Sequence, residues 1–418
     1  MDIVKPPSIK IVGFSGMNNV VPEENYSGDQ ALTAVPRVIL NADVTPSKTL
    51  KKRSGYKLMV NLPNVHSMWS TKGVMLCASE GFLYRFYPDG STIKLCALPG
   101  DQQDKLSYTL VNSKVYISNS QWTGILESTT NEITPWGLPI PEQPVVLVIS
   151  NSGSLKSGKY FLCYAFEDNG EVGAPSAFVE VIIAQDNSSI SLLNKVQGTL
   201  SWITDPDGNL FYLTNSDNSI ITSISSVEPL PSISCTSVRP MRFIRRAFGR
   251  MWGAVDNFLV YSEPYKYGLF RFDAFFKQDS NILMLAFVEG GIYIGMTDKT
   301  IFLSGSDIPS MKETVVGSGV VNNLLVYCNN VPDLGNSIPI WVSKDGLVSG
   351  SHSGQISSIT TNKVQFPTGV EGAALSRIVN GQPQVLTSFK QARPQGSGVG
   401  FGDSTTCEVV RNGRAIQP

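Results

Sequence analysis

The chain has 418 residues, 42% of them hydrophobic and only 16% charged, with a formal net charge of −1. Charge is scarce against the roughly one quarter usual for soluble domains, so solubility rests on Ser, Thr, Asn and Gln, as in all-β assemblies whose surfaces meet other subunits. The neutral balance excludes a bulk attraction to nucleic acid or anionic membrane. Six cysteines without a CxxC pair, beside only two histidines (His66 and His352), argue against a zinc site.

Residues 1–56 read as an N-terminal arm and first strand, broken by Pro6, Pro7, Pro22, Pro36 and Pro46. The opening MDIVKPPSIKIVGF lacks a cationic region followed by a long apolar stretch, and no apolar run approaches 18 residues. Neither a secretory signal nor a membrane anchor is expected, and the fold is expected to form in a reducing cytoplasm. Cys77, Cys163 and Cys328 sit in apolar strand-like runs and are expected to be buried thiols.

A recurring phrase then dominates. A few apolar residues lead into a Gly, Asp or Asn turn, and the chain returns as a strand. The copies are GVMLCASEGFLYRF (73–86), LVNSKVYIS (110–118), GRMWGAVDNFLVYSE (249–263), LAFVEGGIYIGMTDKTIFLSG (285–305) and the weaker IWVSKDGLVSG (340–350). Gly, Asp and Asn supply the positive φ of a two-residue hairpin turn. A series of such hairpins without helical patterning points to a β-propeller. The first part of the propeller spans 57–140.

PWGLPIPEQP (135–144) holds four prolines in ten residues and marks a boundary. Beyond it, GKYFLCYAFEDNGEVGAPSAFVEVII (158–183) reads as two long strands joined at Asn169-Gly170. With SISLLN and GNLFYLTNS it suits an immunoglobulin- or fibronectin-like β-sandwich, inserted at 141–237. The propeller resumes over 238–390. The Gly-rich stretch 391–418 reads as a C-terminal arm.

Two stretches are basic: Lys48, Lys51, Lys52, Arg53 and Lys57, and then Arg239, Arg242, Arg245, Arg246 and Arg250. Phe243, Phe248 and Trp252 interleave with the second, which is a candidate subunit interface or DNA-channel surface. The plainer reading pairs these arginines with acidic residues of neighbouring strands or subunits, so that their partners are distant in sequence, on an adjacent subunit, or phosphates in transit. DPDGN (205–209) has part of a calcium-loop spacing but no glutamate at its end, and reads as a turn. SKDG (343–346) likewise reads as a turn. GSGVGFG (396–402) neither follows a strand nor opens a helix, so it is not a phosphate loop. No local motif pairs a nucleophile with either histidine, and no catalytic residue, metal or cofactor is assigned.

Several phrases resemble structural proteins of tailed bacteriophages. They are GFSGMNNVVPEENYSG (13–28), AVPRVILNADVTPSKTLKKRSGY (34–56), HSMWSTKGVMLCASEGFLYRF (66–86), YFLCYAFEDNGEVGAPS (160–176), FGRMWGAVDNFLVYSEPYKYGLFRFD (248–273) and GGIYIGMTDKTIFLSG (290–305). They are most similar to tail-nozzle and tail-tip propeller proteins with a fibronectin-like piece. The resemblance implies a non-enzymatic virion protein, assembled in the host cytoplasm. It implies a homo-oligomeric ring, often of six copies, around the DNA exit channel. Its partners would be other tail or head-to-tail connector proteins, with transient contact to genomic DNA. A receptor- or glycan-binding tail-tip protein is the alternative, with Trp69, Trp122, Trp136 and Trp202 as candidate sugar-stacking platforms. A propeller glycosidase is a third, and would need two carboxylates facing each other in a pocket.

Overall fold

The computed structural model describes residues 57–71, 73–215, 219–331, 335–360, 369–379, 382–391, 405–410 and 414–416, with short stretches between 13 and 55. It is all-β: a propeller-type series of four-stranded antiparallel meanders interrupted by a β-sandwich. One 3-10 turn, Ile308–Ser310, is the only helical element among the described residues. The chain divides into two compact units, 59–277 and 1–58 with 278–418.

The first unit holds three meanders. His66–Thr71, Val74–Ser79, Phe82–Phe86 and Thr92–Ala97 form the first. Ser107–Val111, Lys114–Ser118, Thr123–Glu127 and Ile133–Thr134 form the second. Arg242–Ala247, Arg250–Val255, Phe258–Tyr261 and Phe275–Lys277 form the third. The expected turn chemistry closes the hairpins: Glu80 and Gly81 (φ 46° and 75°), and Asn112 and Ser113 (φ 47° and 67°), are left-handed pairs, and Asp256 has φ 51°. Alternation does the rest. Leu76, Leu83, Val115, Ile117 and Leu126 are shut from water in one core shared by the first two meanders.

The sandwich follows the proline-rich boundary. One sheet joins Val146–Ile149, Ser189–Leu192 and Ile220–Ile221. The other is built around Gly158–Asp168, which pairs with Glu171–Val172, Val179–Ile183 and Thr199–Thr204. Tyr160, Leu162 and Tyr164 point into the core between the sheets with Ile190, Leu192, Ile203 and Ile221. Cys163 and Ala165 point the other way, against Trp202, Phe211 and Leu230. This strand is therefore buried on both faces, which explains its continuous apolar run. One expectation is corrected at the far end. Cys235–Ser237 falls within 141–237, yet it pairs with Leu269–Arg271 rather than with the sandwich.

The second unit holds the remaining meanders. Met284–Val288, Gly291–Gly295, Lys299–Ser304 and Lys312–Ser318 form the fourth, and Val320–Cys328, Ile338–Ser343, Gly346–Gly350 and Ile356–Ser358 the fifth. The fifth is extended by Gly369–Val379, parallel to Val320–Cys328 at Asn322, and by Gln382–Gln391. Thr405–Val410 and Arg414–Ile416 continue this sheet, so part of the expected C-terminal arm is strand. The stretch 396–402 lies outside the described residues. Met17, Ile39 and Val44 are buried with Leu324, Val326, Ile338 and Leu347, so apolar residues of the N-terminal arm are covered within their own chain. Arg53 of the first basic stretch donates to Asp43 at 2.9 Å.

Candidate functional site

The strand Arg242–Ala247 opens the third meander and pairs on one side only with Arg250–Val255. An unpaired edge leaves alternate N–H groups exposed to unwanted pairing. Here side-chain hydroxyls of the second meander cover them. Ile244 N–H donates to Ser107 Oγ at 3.2 Å, and Arg246 N–H to Thr109 Oγ1 at 3.5 Å. At the start of the strand Ser118 Oγ, fully buried, donates to Met241 O at 2.6 Å and accepts from Met241 N–H at 3.0 Å.

A bulge sets where the arginines point. Register shifts between Arg242 and Arg245, and Phe243 between them has φ 56°. The opening strand of the first meander repeats this, with a shift between His66 and Trp69 and φ 53° at Ser67. Bulges add a residue and re-aim the strand. After the bulge Arg245 and Arg246 are neighbours that both reach water, instead of alternating in and out, while Ile244 stays buried.

The five arginines have separate surroundings. Arg242 Nη2 meets Asp104 Oδ1 at 3.2 Å, and the Asp104 side chain is 6% exposed. Its other oxygen accepts from Ser120 N–H at 2.8 Å. Asp104 lies 138 residues before Arg242 in the chain. Arg246 Nε donates to the Tyr267 hydroxyl at 3.1 Å. Arg250 Nη1 donates to Ser262 O at 2.6 Å, with its guanidinium 5.4 Å from the centre of the Tyr261 ring. Phenol and carbonyl partners orient a guanidinium without cancelling its charge. Arg239 is exposed and lines a cavity whose other charged wall residue is Arg271. The opening strand carries Arg242, Arg245 and Arg246 together, whereas Arg239 belongs to the cavity and Arg250 to the next strand.

The four candidate tryptophans fall into two groups, two buried and two half-buried. Trp136 is buried, donates from Nε1 to Tyr267 O at 2.9 Å and packs edge-on against Tyr116. Trp202 is buried in the second core of the sandwich. Trp69 and Trp122 are half-buried against the core of the first two meanders, and Trp69 stacks on Tyr108 at 5.4 Å. Burial removes Trp136 and Trp202 from the surface, and Tyr108 covers one face of Trp69.

The remaining motifs are turns. Asp207 has φ 58°, and its Oδ1 accepts from Lys159 N–H at 3.1 Å. In SKDG, Asp345 N–H donates to Ser343 Oγ at 3.1 Å and Gly346 has φ 100°. Cys77, Cys163, Cys235 and Cys328 are buried thiols, and Cys96 is half-buried. Burial pushes Cys96 and Cys235 up to about 11 and Cys163 higher still, which keeps them as unreactive thiols at neutral pH.

No known family profile and no curated protein matches the chain. Among solved structures it is similar to virginiamycin B lyase from Staphylococcus aureus, at 9% identity over 86% of each chain with a TM-score of 0.34. It is similar to the Neurospora crassa Pan2 WD40 domain, at 9% identity over 77% of this chain and 85% of that one, with a TM-score of 0.31. A third is the extracellular domain of a hybrid two-component system from B. thetaiotaomicron, at 10% identity and a TM-score of 0.32. The match covers 78% of this chain and 37% of that larger one. Likenesses this distant bear on neither site nor activity. Among the described residues no helix is long and apolar enough to cross a membrane.

Proposed function

We propose that this chain is a non-enzymatic structural component of a bacteriophage tail, a nozzle- or hub-like protein that works as a homo-oligomeric ring in the virion. The observation that carries the reading is the edge strand Arg242–Ala247. Its arginines reach water, and Arg246 is held by a neutral phenol, so positive charge is presented in a fixed direction. Such a strand suits an acidic neighbouring subunit or the phosphates of DNA in transit. The tail phrases in the sequence and the low charge content support the same reading.

The test is the double substitution Arg245→Ala with Arg246→Ala. Both side chains are exposed, so the expected melting temperature stays within a few degrees of wild type. Completed infectious particles are expected to fall by roughly tenfold or more, as for loss of charged interface contacts. A double variant that melts far below wild type while its folded fraction assembles normally would make the cluster an intrachain strut and overturn the reading.

A further inference from the structure

Between Tyr261 and Phe275 the third meander is interrupted by an excursion that carries Leu269–Arg271 onto Cys235–Ser237. This small sheet and the meander enclose a cavity of about 290 Å³. Met241, Val255, Phe258, Val260, Phe270 and Phe272 are among the residues that line it. The size is at the lower end of the range for small-molecule sites. Two features separate it from a packing gap. Phe272 and Phe275 on its wall are 62% and 44% exposed, an aromatic surface left open to water. Two guanidinium groups also stand on that wall. Arg271 is committed, forked onto Asp273 at 2.9 and 3.2 Å. Arg239 is exposed and has no ion pair among the described residues.

We propose that this cavity is a binding site for a small amphipathic anion, with an aryl body among the phenylalanines and a carboxylate-like head on Arg239. The inference is independent of the tail reading, since it uses neither the edge strand nor an assembly. Aromatic and aliphatic walls reward an apolar body, and a guanidinium matches a planar carboxylate with two parallel hydrogen bonds. The wall carries no carboxylate of its own, and the nearby Asp273 is already matched by Arg271, so the free charge selects an anion over a cation.

The test is calorimetric titration of the full chain with 4-phenylbutyrate, 4-phenylbutanol and 4-phenylbutylamine. A ligand of this size binds on the order of millimolar. The acid is expected to bind saturably and about tenfold tighter than the amine. Arg239→Gln, a surface change, should weaken the acid by about tenfold and leave the alcohol within about twofold. Val260→Phe should reduce all three by filling the cavity, with the melting temperature recorded to separate filling from misfolding. Any of three results overturns the proposal: no saturable binding of the acid, equal binding of acid and amine, or unchanged affinity of the acid in Arg239→Gln.

Discussion

Single polar residues at the meander junctions do work that apolar packing cannot. Ser118 holds both the N–H and the C=O of Met241 in a buried position. Ser118→Ala would strand both groups, and a buried unsatisfied donor or acceptor costs roughly 1–3 kcal/mol. The urea midpoint should fall accordingly with little change in slope. His66 is a second case. Its Nε2 lies 2.8 Å from Gln102 O and its Nδ1 2.8 Å from Ser67 Oγ, which also accepts from Leu106 N–H at 2.9 Å. That network fits a neutral imidazole with the proton on Nε2. Burial lowers the His66 pKa and Lys105 adds to the effect, while the bond to Gln102 and the charges of Asp104 and Asp101 oppose it. With the folded value depressed, the unfolded chain takes up the proton first. The contribution is therefore present in full above the ordinary histidine value near 6.5 and is lost as the pH falls through the lower folded one. Denaturation of wild type should show a loss of stability below about pH 6.5 that His66→Asn flattens. An unchanged slope in that variant would place the acid sensitivity elsewhere.

At the scale of hairpins, turn geometry sets the register. Gly81 has φ 75°, and a Cβ there would meet the Gln102 side chain at 3.2 Å. Gly81→Ala should cost about 1–2 kcal/mol, the usual penalty for a side chain in left-handed backbone. Ser113, at φ 67°, is the converse. Ser113→Gly gives Asn-Gly, the favoured pair for this turn, and should raise the melting temperature slightly. Both effects are read in one series of thermal melts, and the same sign at the two sites would contradict the turn assignment. The turns were legible because their chemistry is local. The bulges at Ser67 and Phe243 were not. Neither position carries Gly or Asn, and a phenylalanine at φ 56° is held by the strands around it rather than by its own preference.

In the molecule as a whole, Met17, Ile39 and Val44 of the N-terminal segment belong to a core. Met17 is 2% exposed and packs with Val326, Ile338 and Leu347. Met17→Ala should cost roughly 2 kcal/mol or more, as for other large buried side chains. Amide exchange should then rise across 320–350 and stay unchanged across 66–134, since the two stretches lie in different compact units. Uniform acceleration throughout the chain would mean that the units unfold as one.

The class of fold is legible in the amino-acid order alone, because each hairpin announces itself through alternation and a turn residue within about 15 positions. The burial of Cys77, Cys163 and Cys328 is legible in the same way, from their apolar runs. Pairings between residues far apart in the chain emerge only once it is folded. Cys235–Ser237 lies inside the bounds read for the sandwich, yet its partner is Leu269–Arg271. Trp136 sits in a proline-rich boundary, yet Tyr267 takes its N–H and Tyr116 its ring edge. The five arginines look like one cluster in sequence, but Asp104 and Ser262 hold Arg242 and Arg250 on different strands and the cavity takes Arg239. Spacing along a strand fixes which face a residue occupies. Which neighbour meets that face is set by burial and hydrogen bonding between segments that can lie more than a hundred residues apart, as Trp136 and Tyr267 do, and no local pattern encodes it.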